Sequence, residues 1–243
     1  MKKKEIIKKS LFLVCIAILI LFVVLVMLKY EVEGEKELPY RINKILLVST
    51  VDGKANADPE NLWNIDITQT NDIFIYIDPD GKTKETIKEV SLENFQIVKS
   101  PQKGTVEILR PTADLENLYL NSVQNYLNDK IVYQGAKLDD MKSLEVSNNG
   151  GVVGFRLSLK DLGKFVSNDE NIEITYDGRL LSNLGVNLEE IKLSLSFDII
   201  ITTSENVSYK GTLILDMPTN EIIEKGASKT EITDFSNVIF KRV

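Results

Sequence analysis

Residues Leu11 to Leu28 run for eighteen positions without a charge, directly after a lysine-rich start. At about 1.5 Å per residue this makes roughly 27 Å of helix, close to the about 30 Å hydrocarbon core of a bilayer. Lys9 and Lys29 bracket the run, and Tyr30 suits the boundary between lipid and water. Lys2, Lys3, Lys4, Lys8 and Lys9 precede it against a single acid, Glu5. The positive-inside rule then keeps residues 1–10 cytoplasmic and puts the chain after the span outside. A cleaved signal peptide has a shorter apolar core and a small-x-small cleavage site. Here Lys29-Tyr30-Glu31-Val32-Glu33-Gly34 follows instead. Cys15 is preceded by Val14 and flanked by apolar residues on both sides, so it reads as part of the span and not as a lipidation site. The expectation is an uncleaved signal-anchor: a single-pass protein of the cell membrane with an extracytoplasmic C-terminal region.

The chain has no histidine, and Cys15 is its one cysteine. Residues 31–243 therefore form no disulfide, no imidazole or thiolate metal site, and no Ser-His or Cys-His nucleophile pair. Any catalysis there has to rest on carboxylates, lysine, tyrosine or hydroxyls. Beyond residue 30 stand 23 basic and 35 acidic residues, a net of −12. Such a surface is repelled by nucleic acid, by anionic lipid and by anionic wall polymers. No nucleic-acid partner is expected, and a basic partner or divalent cations are compatible. The abundance of Lys, Asn and Ile suggests an AT-rich bacterial genome.

Residues 29–39 read as a polar stalk, its glutamates and one glycine offering no apolar face. From residue 40 to 243 the dominant period is two, which predicts a β-rich region. Ile45, Leu47 and Ser49 alternate with Leu46 and Val48. Ile73-Phe74-Ile75-Tyr76-Ile77 reads as a strand covered on both sides, followed by a hairpin turn at Asp78-Pro79-Asp80-Gly81. Val90 to Val98 predicts a strand kinked near Glu93-Asn94, and Thr105 to Leu109 another. Asn148-Asn149-Gly150-Gly151, between Ser143–Ser147 and Val152–Leu159, is a hairpin signal, because its central residues need positive φ. Ile172, Ile174 and Tyr176 predict a further strand. The clearest hairpin joins Leu193, Leu195, Phe197, Ile199 and Ile201 to Val207, Tyr209, Leu213 and Leu215. Val238 to Phe240 reads as a closing strand. Helix is minor: an apolar stripe over 113–128, a short helix from Gly178 to a glycine stop at Gly185, and a capping box formed by Asn187 and Glu190. The fold class is mainly β: an N-terminal transmembrane helix, then a mostly antiparallel, sandwich-like region with minor short helices. It forms one larger domain or two units, about 40–110 and 131–243.

No motif carries a catalytic set. Gly81 puts Tyr76 where a calcium loop needs an acid. Ser100-Pro101-Gln102-Lys103 has Ser-x-x-Lys spacing, but Pro101 and Gly104 rule out the helix that would aim the lysine. No carboxylate pair stands out as a glycosidase pair. Candidate ligand residues are few: Trp63, the single tryptophan, suits stacking on a sugar or anchoring a sheet edge. The acidic loop Ser167–Asn171, with Asp169 and Glu170, suits calcium together with Glu173 or Asp177. No catalytic, metal-ligating or cofactor-binding residue is assigned, and no cofactor is expected.

The layout resembles small single-span membrane proteins of clostridia-type bacteria that have no assigned activity. The resemblance is carried by the lysine-rich start and span, Glu33-Gly34-Glu35-Lys36-Glu37-Leu38-Pro39-Tyr40, Leu47-Val48-Ser49-Thr50, Trp63 and Asn71–Ile77. At the end it is carried by Glu231-Ile232-Thr233-Asp234-Phe235 and Val238-Ile239-Phe240-Lys241-Arg242. It implies the anchor and the topology and transfers no site residue. The functional expectation is a non-enzymatic interaction or assembly component of the bacterial envelope, held in the membrane through Leu11 to Leu28 and docking a protein partner. The alternative is a module that binds wall glycan or calcium.

Overall fold

The computed structural model describes residues 12–25, 38–81, 84–111, 119–120, 130–136, 144–172 and 178–243. Of the uncharged run, residues 12–25 are described; they are helical (α1) and exposed. Among the described residues no helix is long and apolar enough to cross a membrane.

Two six-stranded sheets hold most of the rest. The first contains β1 (Tyr40–Ala55), β2 (Trp63–Pro79), β4 (Thr105–Pro111), β5 (Tyr119–Leu120), β8 (Gly151–Ser167) and β11 (Ala227–Ile232), in the order β11-β1-β2-β8-β4-β5. The second contains β3 (Ile87–Lys99), β6 (Ile131–Gly135), β7 (Leu144–Val146), β9 (Ser194–Thr203), β10 (Ser208–Asp216) and β12 (Lys241–Arg242), in the order β12-β10-β9-β3-β6-β7. Every pairing is antiparallel except β6 with β7. Both halves of the sequence contribute strands to both sheets, so neither half forms a sheet by itself.

Period-two patterning builds the interior. Ile45 and Leu47 of β1, Ile73, Ile75 and Ile77 of β2, and Val153, Phe155 and Leu157 of β8 face inward from the first sheet. Val90 and Leu92 of β3 and Leu195, Phe197, Ile199 and Ile201 of β9 answer from the second. Phe95, Phe155 and Phe197 meet between the sheets with ring centroids 5.2–5.6 Å apart. Tyr133, from β6, reaches across to the other sheet. Its hydroxyl donates to the Gly154 carbonyl at 2.5 Å and accepts the Gly154 N–H at 3.0 Å, where β8 runs beyond its ladder with β4. Tyr133→Phe removes one oxygen and leaves both backbone groups unpaired in a buried place. An expected loss of about 1–3 kcal/mol follows, read from the midpoint of urea unfolding; an unshifted midpoint would deny this stitch any weight.

β1, β2 and β8 extend past the second sheet, and their inner face there is covered by helices. Ile65, Ile67, Val51, Leu159 and Leu162 pack with Leu180 and Leu181 of α2 (Gly178–Asn183), Ile191 of the 3-10 turn Leu188–Ile191, and Ile222 of α3 (Ile222–Lys225). The Gly185 stop is present at φ 64°, and the Asn187–Glu190 capping box closes as expected. A polar belt separates this second apolar cluster from the first. Ser49 donates to Asn71 Oδ1 at 2.5 Å, Gln69 donates to the same oxygen at 2.9 Å, and Asn71 Nδ2 donates to the Leu157 carbonyl at 3.2 Å.

Several local expectations hold. The β9–β10 hairpin pairs Phe197 with Leu213 and Leu195 with Leu215. The kink in β3 is a bulge with Asn94 at φ 55°. Others are corrected. Asn148–Gly151 is a turn, but β7 and β8 lie in different sheets: β7 pairs with β6, and beyond the β4 ladder the free side of β8 at Gly154 is taken by the Tyr133 hydroxyl. Asp78–Gly81 likewise starts a crossing from β2 to β3 in the other sheet and closes no hairpin. The closing strand falls at Lys241–Arg242, and Phe240 instead seats its ring against Gly211, where an added Cβ would stand 3.0 Å from it. Most of the 113–128 stripe lies outside the described residues, and Tyr119–Leu120 within it pair with β4 as strand. Ile174 and Tyr176 also lie outside them.

Candidate functional site

One end of the sandwich is where the chain joins it. Tyr40, the first residue of β1, donates its buried hydroxyl to the Glu85 carbonyl at 2.7 Å and to the Asn148 carbonyl at 3.1 Å. Burial first, and the Glu85 charge second, push its phenol above the ordinary tyrosine value. Asp80 N–H donates to the Pro39 carbonyl at 2.9 Å, so the chain before β1 is fixed to the same end. β2, which ends here beside Tyr40, begins 17 residues earlier at the far end, about 55 Å away at about 3.3 Å per residue.

Trp63 and the acidic loop lie together at the far end. Trp63 opens β2 opposite Ser167 of β8, and its indole packs on the second apolar cluster. Its Nε1 donates to the Asp169 carbonyl at 3.2 Å. The Asp169 carboxylate is engaged by its own loop, accepting from Asn171 N–H at 2.8 Å and Asn171 Nδ2 at 3.2 Å. Glu170 is exposed in the turn, and Glu173 lies outside the described residues. Across from them Asp58 gathers Asn61, the Glu60 N–H and Asn64, which hold its carboxyl down at about 2. Among the described residues no group of three or more acids is placed to hold a metal ion. Trp63 thus anchors a strand end and ties two loops together. Ser100 and Lys103 sit in a turn, with the Lys103 ammonium directed to the Leu184 carbonyl at 3.4 Å.

Sequence reading missed a cleft of about 410 Å³ where the edge of the first sheet meets the far ends of β3, β9 and β10. Lys99, Lys192, Ser194, Asp216, Thr219 and Thr230 line it over a floor of Leu193, Met217 and Pro218. Ser194 donates to Asp216, and Lys192 pairs with Glu189. A carboxylate is too weak a base to take a serine proton near neutral pH, so the arrangement suits holding a polar group better than attacking one. Its residues come from four separate segments and share no local signal.

The outer face of the first sheet is the broadest departure from expectation. Phe74 and Tyr76, read as covered on both sides, point outward and are half-buried beside Leu46, Val48 and the exposed Val152. Leu46 is the register partner of Phe74, and Phe74 lies over Gly154, where a Cβ would stand 3.4 Å from its ring. The Lys44 ammonium sits 4.7 Å from the centroid of the Tyr76 ring. Four ion pairs lie on this face. Arg156 grips Asp72 with two bonds of 2.7 and 2.8 Å, Lys160 meets Glu107 at 2.5 Å, Lys164 meets Asp66 at 3.5 Å and Lys44 meets Glu231 at 3.6 Å.

The fold and these surfaces define a two-sheet, mostly antiparallel β-sandwich with a short helical cap at one end. No protein-family model, curated protein or solved structure matches the chain.

Proposed function

We propose that this chain is a membrane-anchored, extracytoplasmic and non-enzymatic interaction protein of the bacterial envelope. The observation that carries the reading is the uncharged run Leu11 to Leu28 behind five lysines, joined by a short polar stalk to one end of the sandwich. Its described part is helical. The outer face of the first sheet supports the interaction role, since half-buried aromatic and aliphatic side chains on an open sheet face suit docking. Complementation of a deletion strain tests the tether: the full-length chain should restore the phenotype, and residues 38–243 secreted without the span should not. Equal rescue by both would discard tethering.

Binding of wall glycan is the second reading, favoured by the meeting of Trp63 with the Asp169 loop. Wall fragments should then raise the melting temperature, and Trp63→Ala should remove the rise. Melting curves unmoved at saturating fragment would eliminate it.

A further inference from the structure

We infer that the free edge of β11 pairs with β11 of a second copy of this chain, joining two first sheets into one. The inference rests on the tethered-interaction reading and names its partner. β11 borders the first sheet with six residues, whereas the edge strands β5 and β12 have two and β7 three. Val51 N–H donates to the Gly226 carbonyl at 2.7 Å, and the antiparallel register with β1 runs on from there to Ile45 and Ile232. Antiparallel bonding alternates residue by residue. Ser228, Thr230 and Ile232 therefore turn their backbone groups to β1, while Ala227, Lys229 and Glu231 turn theirs outward. Lys229, Thr230 and Glu231 are all exposed.

Charge selects a second copy as the occupant. Among the described residues no acid pairs with Lys229, and a lysine on an edge strand repels any strand that does not answer it. Two copies of β11 meet antiparallel about a two-fold axis perpendicular to the sheet. With that axis at Thr230, Lys229 of each copy stands opposite Glu231 of the other, and the outward backbone groups of the two residues bond. Lys229 and Glu231 share the outer face, so two opposite-charge pairs form at once. Thr230 meets its own counterpart on the inner face, as a pair without backbone bonds between them. An axis at Lys229 or at Glu231 would instead set like charges opposite each other. Thr230 lies beside Leu47, so each Tyr40 stands about 23 Å along the strands from the axis, at about 3.3 Å per residue. The two anchors enter one bilayer on opposite sides of the axis, with the sheets lying along the membrane. Confinement there raises the effective concentration of one copy for the other.

Disulfide cross-linking tests this in membranes holding the full-length chain with Cys15→Ala, which removes its one thiol. Facing residues without backbone bonds stand about 4.5 Å apart at Cα, within the roughly 4.4–6.8 Å that a disulfide spans. Thr230→Cys should therefore give a dimer on a non-reducing gel after oxidation with copper-phenanthroline. Ala227→Cys, about 20 Å along the strand from its counterpart, should give at least fivefold less. Adding Lys229→Glu to Thr230→Cys should cut the dimer at least fivefold, and adding Glu231→Lys to both should restore it. Circular dichroism melting checks that each variant keeps the fold. No dimer from Thr230→Cys overturns the inference. So does an equal dimer from Ala227→Cys, which would assign pairing to the span, or a dimer indifferent to Lys229→Glu in a folded protein. The tether is read separately, by retention in membranes after an alkaline wash. A chain released by the wash yet still cross-linked through Thr230→Cys would sink the anchor and leave the edge pairing intact.

Discussion

Phe155→Ala should remove about 3–5 kcal/mol from the stability of the domain, as measured by urea unfolding of the full-length chain in detergent. Phe155 is the first sheet's contribution to the aromatic trio, with rings of the second sheet at 5.2 Å on two sides. Truncation forfeits the transfer of the ring and opens a void that strands tied into two ladders cannot collapse to fill. A domain stabilised by the usual about 5–15 kcal/mol would lose a large share of its margin. A loss below about 1 kcal/mol would mean that the sheets do not pack through this trio.

Asp198→Asn should cost about 2–3 kcal/mol, although it changes one atom on the outer face of the second sheet. The Asp198 carboxylate is 7% exposed and accepts from Thr212 at 2.6 Å, Asn94 Nδ2 at 2.7 Å and the Lys210 ammonium at 2.7 Å. An amide there turns its NH₂ either toward Asn94 and Lys210 or, flipped, toward Thr212. Burial works to raise this carboxyl, but the bonds from Lys210, Thr212 and Asn94 outweigh it and hold it below the ordinary aspartate value. A depressed carboxyl stabilises the fold above its unfolded pKa of about 3.9 and loses that contribution as pH falls through the folded value. The gap between wild type and variant should therefore be full near neutrality and narrow below about pH 4. A gap independent of pH would remove the charge from the explanation. Because Asn94 sits at φ 55° in the β3 bulge, the variant should also loosen that bulge.

Local chemistry was legible in the sequence, and sheet membership was not. The β9–β10 hairpin was readable because two apolar faces of matching period flank a short turn. The Asn187–Glu190 box and the Gly185 stop were readable because caps are satisfied within a few residues. Asn148–Gly151 and Asp78–Gly81 announce turns correctly, but a turn does not say whether the next strand pairs with the last or crosses to the opposite sheet. Long-range contacts decide that: β7 pairs with β6, whose Tyr133 takes the free backbone groups of β8 at Gly154. Ile73–Ile77 shows the same limit, since an all-apolar run looks alike whether its second face meets the chain itself or stands open. Of the sequence candidates, Trp63 and Asp169 do come together, through the indole N–H and the Asp169 carbonyl. The cleft around Lys99 and Thr230 left no trace, because its walls meet only after both sheets have formed.

The Ser49–Gln69–Asn71 belt predicts two cooperative units in the domain, although Val106 packs against both apolar clusters. Apolar continuity is what makes neighbouring segments unfold together, and the belt interrupts it between Leu47 and Val51 on β1 and between Ile67 and Ile73 on β2. Water reaching the belt finds amides and a hydroxyl to hydrate, so peeling the helical cap away exposes a surface that tolerates solvent. Amides of α2 and α3 should then exchange with deuterium through a local opening, while those of Ile73–Ile77 and Val153–Leu157 wait for global unfolding. That result would leave the far end of the domain free to be remodelled while the sandwich beneath it stays folded.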